Sequence, residues 1–225
     1  MAARNTIGGL KLDAHKARST SAALRSASVP ARITLPLDQH AGVPARPIVA
    51  VGDSVLLGQP VADPQSDVSA GLHSPVAGTV AAIEARRVPS RSAPSMSIVI
   101  DTDGEDRRYE SGPLQDYRSL SRAELCEHID RGGMVGLGGA VFPTGAKLSH
   151  AAVDSDIHLL LNGAECEPWI SCDDMLMRER AADIVLGAQI LARAAGASRI
   201  TIVIEDDVPQ ARDALRSALA ASPDI

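Results

Sequence analysis

Aromatic residues are nearly absent from this 225-residue sequence, which contains one Trp, two Tyr and one Phe. The hydrophobic fraction of 45% is nevertheless ordinary for a globular protein, so the core must consist of Val, Ile, Leu and Ala. Phe142 and Trp169 each lie in a segment of unusual composition. Rings in such places indicate either a ligand site or a hydrophobic plug behind a loop.

Cysteine, long apolar runs and excess positive charge are also scarce. Three cysteines do not suggest a disulfide framework, and the spacing of Cys166 and Cys172 fits neither zinc nor iron-sulfur sites. No secretory signal is apparent, and no apolar run approaches the roughly 20 residues that cross a bilayer. The net charge of −6 argues against nucleic acid as a partner. Basic residues do cluster before residue 33, where we expect a solvated, partly disordered arm, the alternative being contact with an acidic partner or an anionic bilayer.

The first half of the chain has the pattern of a small all-β unit. Glycine and proline turns separate short β-rich runs at residues 32–36, 47–51, 78–83 and 96–100. Two hairpin-like halves within it resemble the barrel-sandwich-hybrid module of biotinyl and lipoyl domains. A carrier of that kind needs a lysine between the halves, and residues 62–73 contain none. Covalent biotinylation or lipoylation is therefore excluded there.

Helix and strand patterns alternate after residue 112. Ser121 and Glu124 predict a capping box at the start of a helix that Gly132 ends. Residues 157–161 and 199–204 have the pattern of strands, and residues 173–195 that of one long helix. Asp207 is the predicted cap of a last helix, with Pro209 in its first turn. This order predicts a parallel βαβ unit.

The predicted fold class is therefore β plus α/β, with a barrel-sandwich-hybrid module followed by a partial parallel βαβ domain. We expect an N-terminal arm over residues 1–30, the β domain over 31–112 and the α/β domain over 113–225. A parallel sheet needs both faces covered, and only two clear strands are present. We therefore expect the α/β domain to be incomplete.

A glycine-rich segment, residues 136–147, has the composition of an anion site. It contains four glycines and ends in Lys147. Glycines let a ligand approach bare backbone amides, and a nearby lysine adds positive charge. Because Val141 occupies the third glycine position of the dinucleotide fingerprint and no P-loop triplet occurs, the segment predicts phosphate binding only in general terms. A tight connection is the alternative.

Polar side chains follow both predicted parallel strands. Asn162, Glu165 and Glu167 come after the first strand, and Glu205 and Asp206 after the second. Because the carboxyl ends of parallel strands form one edge of a sheet, where α/β proteins bind ligands, we expect these residues and the glycine segment to share a cavity. An ordinary surface loop is the alternative.

Residues 136–148 and 161–178 resemble segments of the RnfC subunit of the Rnf (Rsx) ion-translocating electron-transport complex. They resemble the flavin- and NADH-binding subunit of respiratory complex I more loosely. The likeness extends through the β module to Gly8-Gly9. It implies a peripheral subunit, without a transmembrane segment, on the cytoplasmic face of the inner membrane. Such a subunit binds FMN, exchanges electrons with NAD(H) and has the other subunits of the complex as partners.

The resemblance also implies a set of cofactor-binding residues, with no metal ligand and no catalytic acid or base. The glycines would approach the flavin phosphate, Lys147 would offset its charge, and the polar residues beyond the strands would contact the ring, ribityl chain or nicotinamide. The set is Gly136, Gly138, Gly139, Ala140, Phe142, Thr144, Lys147, Asn162, Glu165, Glu167 and Glu205. On this interpretation, removing Glu165 would leave the stability of the fold nearly intact.

Two departures from the family pattern are visible. Asp207 and Val208 stand where Rnf proteins usually carry Asn and Lys, so a positive contact to the ligand is missing there. The family also carries 4Fe-4S clusters, and this chain has no C-x-x-C-x-x-C-x-x-x-C run to bind them. We therefore expect an N-terminal fragment or truncated form. A non-catalytic docking fragment of the complex is the alternative function.

Overall fold

The computed structural model describes residues 13–89, 92–112, 116–137, 139–149, 156–165 and 167–222. These residues form two compact units. The β unit comprises the described residues of Ala27–Ile157 together with Arg193–Gly196. The α/β unit comprises residues 13–26, His158–Ala192 and residues 197–222. The domain boundaries at residues 30 and 112 stay predictions.

The elements are numbered in chain order. The helices are α1 (Lys16–Ser19), α2 (Arg122–Arg131), α3 (Thr144–Ser149), α4 (Cys172–Glu179), α5 (Ala181–Ala195) and α6 (Pro209–Ala220). The strands are β1 (Arg32–Pro36), β2 (Arg46–Pro47), β3 (Ser54–Val55), β4 (Pro60–Asp63), β5 (Leu72–His73), β6 (Gly78–Arg86), β7 (Ser95–Thr102), β8 (Ile157–Gly163) and β9 (Ala197–Ile204).

Two antiparallel sheets form the β unit. The larger has the order β1-β7-β6-β3 and is curled, and the smaller has the order β2-β4-β5. Ile33 lies opposite Ile100 and Leu35 opposite Ile98, so alternate residues of β1 and β7 project to the same face. That face is the aliphatic core expected from the lack of aromatics, and its buried members are Leu37, Ala45, Val55, Val61, Ala62, Val76, Val80, Ile98 and Ile100.

One predicted strand of the β unit is shorter than its pattern indicates. Residues 47–51 were expected to be extended, but β2 ends at Pro47. The Asp53 carboxylate accepts a hydrogen bond of 2.8 Å from the amide of Ala50, and the Asp53 amide donates to the carbonyl of Ala50. This side-chain turn competes with sheet pairing, so the chain bends before Gly52.

The α/β unit is built on the parallel pair β8-β9. Its buried cluster joins α4 and α6 and consists of Met177, Ala181, Val208, Ala211 and Leu215. Ile202 and Ile204 of β9 pack against this cluster. The helices thus cover one face of the strand pair with small aliphatic side chains.

The predicted single helix over residues 173–195 is wrong, because α4 and α5 are separate. Arg180 lies between them with φ −131° and ψ 28°, outside the helical region. No glycine or proline stands there to signal a break. The bend allows Met177 at the end of α4 and Ala181 at the start of α5 to share the buried cluster. Tertiary packing therefore overrides the helical periodicity.

Asp207 does not cap α6 as expected. The capping position is Val208, which makes no side-chain capping bond, and Pro209 is the first helical residue. A proline keeps the preceding residue out of the helical conformation, so the helix cannot begin before Pro209. Val208 is instead buried in the core. The Ser121–Glu124 capping box of α2 is confirmed, with both reciprocal bonds present.

The mixed fold class predicted from the sequence is confirmed by an antiparallel β module and a parallel β8-β9 pair. Among the described residues, the longest helix is α5 with 15 residues. No helix in that part of the chain has both the length and the apolar character to cross a membrane.

Two glycines of the β unit provide a matched test of its packing. Gly42 and Gly52 have nearly equal positive φ angles, 93° and 95°, but a Cβ at Gly42 would lie 1.8 Å from the carbonyl oxygen of Val68. Gly52 has no neighbour within 4 Å. We expect Gly52→Ala to cost about 1–2 kcal/mol of unfolding free energy from its φ alone. Gly42→Ala should cost at least about 2 kcal/mol more, because backbone must move.

Urea denaturation of the two variants measures this difference directly. Equal losses of stability would show that Gly42 and Val68 do not approach each other in solution.

Candidate functional site

The glycine segment closes on itself like a short hairpin. Val135 and Pro143 form an antiparallel bridge, and the Gly136 amide donates to the carbonyl of Phe142 at 2.9 Å. The Thr144 amide donates to Met134 at 2.8 Å and leads the chain into α3. The ends of the segment are therefore fixed by backbone hydrogen bonds, and its tip projects from them.

Exposed amides line this tip. Within the described part of the segment, the backbone N–H groups of Leu137, Gly139 and Ala140 donate to no protein acceptor. A Cβ built at Gly139 meets nothing within 4 Å, so the backbone there is open to an approaching group. Gly138 lies outside the described residues. These free amides are donors of the kind that bind anions, and α3, which follows the segment, carries the exposed Lys147.

Val141 holds the tip in a strained conformation. Its φ is +45°, a left-handed value that costs a β-branched residue roughly 1–2 kcal/mol. Its carbonyl accepts from the amide of Ala41 at 3.0 Å, which ties the tip to the loop after β1. Strain of this kind is typical of ligand sites, because only a surrounding structure that fixes the residue can maintain it.

A cavity of about 430 Å³ borders the glycine segment within the β unit. Val135, Leu137 and Val141 line it on one side, and His40 and His73 on the other. His40 is buried, accepts from the Ala70 amide at Nε2 and donates from Nδ1 to Ala41, so it is a structural histidine. Burial lowers the pKa of His73, which is therefore neutral at pH 7. The volume is in the range of small-molecule sites.

In the α/β unit, Glu165 binds the start of α4. Its carboxylate is buried, with the residue 5% exposed. One oxygen accepts from the Cys172 thiol at 2.9 Å and the Asp173 amide at 3.1 Å, and the other accepts a weak bond from the Asp174 amide at 3.5 Å. These amides are among the donors that a helix leaves unpaired at its start. Glu165 therefore acts as a capping carboxylate supplied from the end of β8.

The charges around this carboxylate follow from its contacts. Burial acts to raise the pKa of Glu165, but the bonds from Cys172 and the two amides and the charge of Lys16 outweigh it, so the pKa is lowered. The same hydrogen bond, with burial and the negative charge of Glu165, raises the pKa of the Cys172 thiol. Although Cys172 is exposed, its thiol therefore remains protonated and weakly nucleophilic at neutral pH.

The other predicted residues beyond the strands are more accessible. Asn162 is exposed, and its side-chain oxygen accepts from the Ala164 amide at 3.2 Å. It lines a cavity of about 130 Å³ with Asp173 and Met177, which is smaller than usual ligand cavities. Glu167 is exposed and Glu205 is partly buried.

Lys16 is the residue of this region that the sequence did not indicate. Its ammonium group donates to Glu205 Oε2 at 2.9 Å and to the carbonyl of Glu165. Its side chain is 13% exposed, so the expectation of a solvated basic arm is wrong for this residue. Lys16 and Glu205 are 189 residues apart, which leaves no local pattern for sequence analysis to detect.

The structure thus brings Lys16, Glu165 and Glu205 together in the α/β unit. Separately, it brings Gly136, Gly139, Ala140 and Phe142 together in the β unit. A common cavity between the two groups stays a prediction. Among the described residues, one possible metal-binding group occurs, formed by Glu165, Cys172 and Asp173. Glu165 already accepts hydrogen bonds at one oxygen from the Cys172 thiol and the Asp173 amide, and at the other oxygen from the Asp174 amide. Its carboxylate therefore serves these donors and is not free to bind a metal.

Comparison with known proteins places both halves of the chain in described domain types. Residues 4–105 match the family model for the RnfC barrel sandwich hybrid domain, and residues 129–225 match that for the Nuo51 FMN-binding domain. The chain therefore combines a barrel-sandwich-hybrid module with a segment of the flavin-binding domain type.

Over 217 residues, 96% of its length, the chain is 47% identical to the C subunit of the ion-translocating oxidoreductase complex of Pseudomonas aeruginosa. It spans 28% of the length of that relative. The resemblance to the RnfC subunit of the Rnf complex is confirmed, and the chain is a relative of these proteins along nearly all of its own length.

The burial and hydrogen bonds of the Glu165 carboxylate contradict the expectation that its removal leaves the fold nearly intact. They predict a loss of stability that removal of the exposed neighbour Glu167 will not show. Glu165→Ala leaves the thiol and both amides without their acceptor, and we expect a loss of about 1–3 kcal/mol in unfolding free energy. Glu167→Ala, the matched control, should change stability by less than about 0.5 kcal/mol. Urea denaturation at pH 7 compares the two. Equal stabilities would contradict the capping role.

The lowered pKa of Glu165 also predicts a dependence on pH. A carboxyl whose pKa is lower in the folded state stabilises the fold above its unfolded pKa, roughly 4.3. That contribution is lost as the pH falls through the folded value. We expect the wild-type chain to lose stability below about pH 4.3 more steeply than Glu165→Gln. Identical slopes for the two proteins would exclude this linkage.

Proposed function

We propose that this chain is part of a peripheral subunit of a membrane-bound ion-translocating oxidoreductase, and that it binds FMN. The observation that carries the proposal is the glycine segment, with its free amides at Leu137, Gly139 and Ala140. The Nuo51-type match over residues 129–225 supports it. The relative from Pseudomonas aeruginosa is named as one subunit of an ion-translocating oxidoreductase complex, which supports assembly with other subunits.

The donor set suits a phosphorylated flavin. Three free amides can donate hydrogen bonds to a phosphate, and Lys147, in the helix that follows the segment, is an exposed cation that would offset its charge. Bound FMN would supply the electron-transfer chemistry itself. The protein residues would bind and orient it: the glycine segment the phosphate, and the exposed Asn162 and Glu167 the ring, ribityl chain or nicotinamide. Glu165 would act by fixing the loop that carries Glu167.

We further propose NAD(H) as the electron partner and the cytoplasmic face of the inner membrane as the location. Both rest on the resemblance of residues 136–148 and 161–178 to segments of the RnfC protein and of the flavin-binding protein of complex I. The acids beyond β8 and β9 are suited to hydroxyl and ring N–H groups, since carboxylates only accept hydrogen bonds when ionised.

Flavin titration of the chain tests the proposal. We expect quenching of FMN fluorescence at micromolar concentrations and a weaker response to riboflavin, which lacks the phosphate. Lys147→Met should lower FMN affinity about tenfold, because a charge-assisted contact contributes about 1.5 kcal/mol, and should leave riboflavin affinity unchanged. Arg87→Met, which removes an exposed charge elsewhere in the β unit, is the control.

One result would contradict FMN binding, and another would contradict the role of Lys147. No binding at micromolar FMN would favour a non-catalytic docking role for the chain. Equal loss of FMN and riboflavin binding in Lys147→Met would show that Lys147 does not contact the phosphate.

A further inference from the structure

The segment that contains α1 is attached to the carboxyl ends of β8 and β9. The Lys16 ammonium group donates to Glu205 just after β9 and to the backbone of Glu165 just after β8. Within the α/β unit, this lysine links the loops that follow the two parallel strands. In parallel sheets such loops carry the ligand contacts.

A second set of contacts fixes the same segment through Trp169. The Trp169 amide donates to the carbonyl of Ala14 at 2.8 Å, and its ring stacks on His15 with 4.7 Å between centroids. The guanidinium carbon of Arg18 lies 5.5 Å from the centre of the ring. His15 and Trp169 both have positive φ, 50° and 70°. Non-glycine residues keep such angles only when their surroundings fix them, so this segment is a specific part of the strand-end region.

The strand-end region is rich in negative charge. Glu165, Asp173, Glu205, Asp206 and Asp207 all belong to it, and Lys16 lies among them. Burial acts to lower the pKa of Lys16, but the hydrogen bond to Glu205 and the charges of Glu205, Glu165 and Asp207 raise it overall. The lysine is therefore fully charged at neutral pH. It offsets part of a field that would otherwise oppose any anion.

We propose that Lys16 is a positioning residue of the flavin site. It holds Glu205 and the loop of Glu165 in place, and its positive charge favours the binding of reduced FMN at the strand ends. The inference rests on the proposed function. Reduction adds electrons to the ring and, at neutral pH, negative charge. A fixed cation nearby stabilises the reduced form more than the oxidised form, whereas the surrounding carboxylates do the reverse.

The ratio of the dissociation constants of reduced and oxidised FMN measures this effect. Both constants are obtained by titration of the chain with FMN, aerobically for the oxidised form and anaerobically with dithionite for the reduced form. We expect Lys16→Met to raise the ratio on the order of tenfold, since one charge has been removed from a partly buried region. Lys16→Arg, which retains the charge, should restore the wild-type ratio. Arg25→Met, which removes an exposed charge in the same unit, should leave the ratio unchanged.

A variant of opposite charge separates electrostatics from structure. Glu205→Gln also breaks the contact with Lys16, but it removes a negative charge, so we expect the ratio to fall below that of the wild type. Damage to the fold would move both variants in the same direction. Glu205→Gln also keeps the inference testable if Lys16→Met does not fold.

The outcomes distinguish the two proposals. Binding of FMN by the wild type with an unchanged ratio in Lys16→Met, or a shift of both variants in one direction, overturns the role of Lys16 and leaves FMN binding intact. Failure of the wild type to bind either form of FMN overturns the proposed function, and with it the role of Lys16. Shifts of the ratio in opposite directions in Lys16→Met and Glu205→Gln support the role of Lys16.

Discussion

The carboxylate of Glu165 is the interaction on which the candidate site of the α/β unit depends. It lies two residues beyond β8 and accepts hydrogen bonds from the first turn of α4 and from the Cys172 thiol. An unpaired buried carboxylate would be costly, so the strand end and the helix start are held at a fixed separation. The loop between them, which contains Glu167 and Trp169, therefore has fixed ends. Its exposed groups can be oriented for a ligand without contributing to the core.

Lys16 extends this arrangement from β8 to β9. Its bonds to the Glu165 carbonyl and to Glu205 bring a segment from the start of the described chain to the end of both strands. Lys16 thus supplies a positive charge beside the acids at the strand ends from a distant part of the chain.

The sequence predicted the features that depend on local chemistry. Ser121 and Glu124 indicated a capping box because the two bonds need only three residues of spacing. The short β-rich runs at residues 32–36 and 96–100, bounded by turn residues, indicated the strands that became β1 and β7. The helix break at Arg180 was missed because no residue there disfavours a helix and the cause is packing on α6. The strain at Val141 was also missed, since a β-branched residue is a poor candidate for positive φ.

The functional roles of the glycine segment and of Glu165 could be predicted from the sequence to different extents. The glycine segment has the composition of an anion site and carries free backbone amides, and anion binding there stays a prediction. For Glu165 the residue type was suggestive, but its role depends on which donors surround it. A carboxylate after a strand can bind a ligand or cap a helix, and the two roles differ in burial and in hydrogen bonds, which a sequence does not contain.

The most direct test of this account is the titration of the Glu165 side-chain carboxyl by ¹³C NMR, assigned by comparison with Glu165→Gln. If the carboxylate binds the start of α4 and the Cys172 thiol, it will remain ionised to a pH below the ordinary glutamate value of about 4.3. A titration midpoint at or above that value would show that the carboxylate is not held by these donors. The organisation of the strand ends described above would then be wrong.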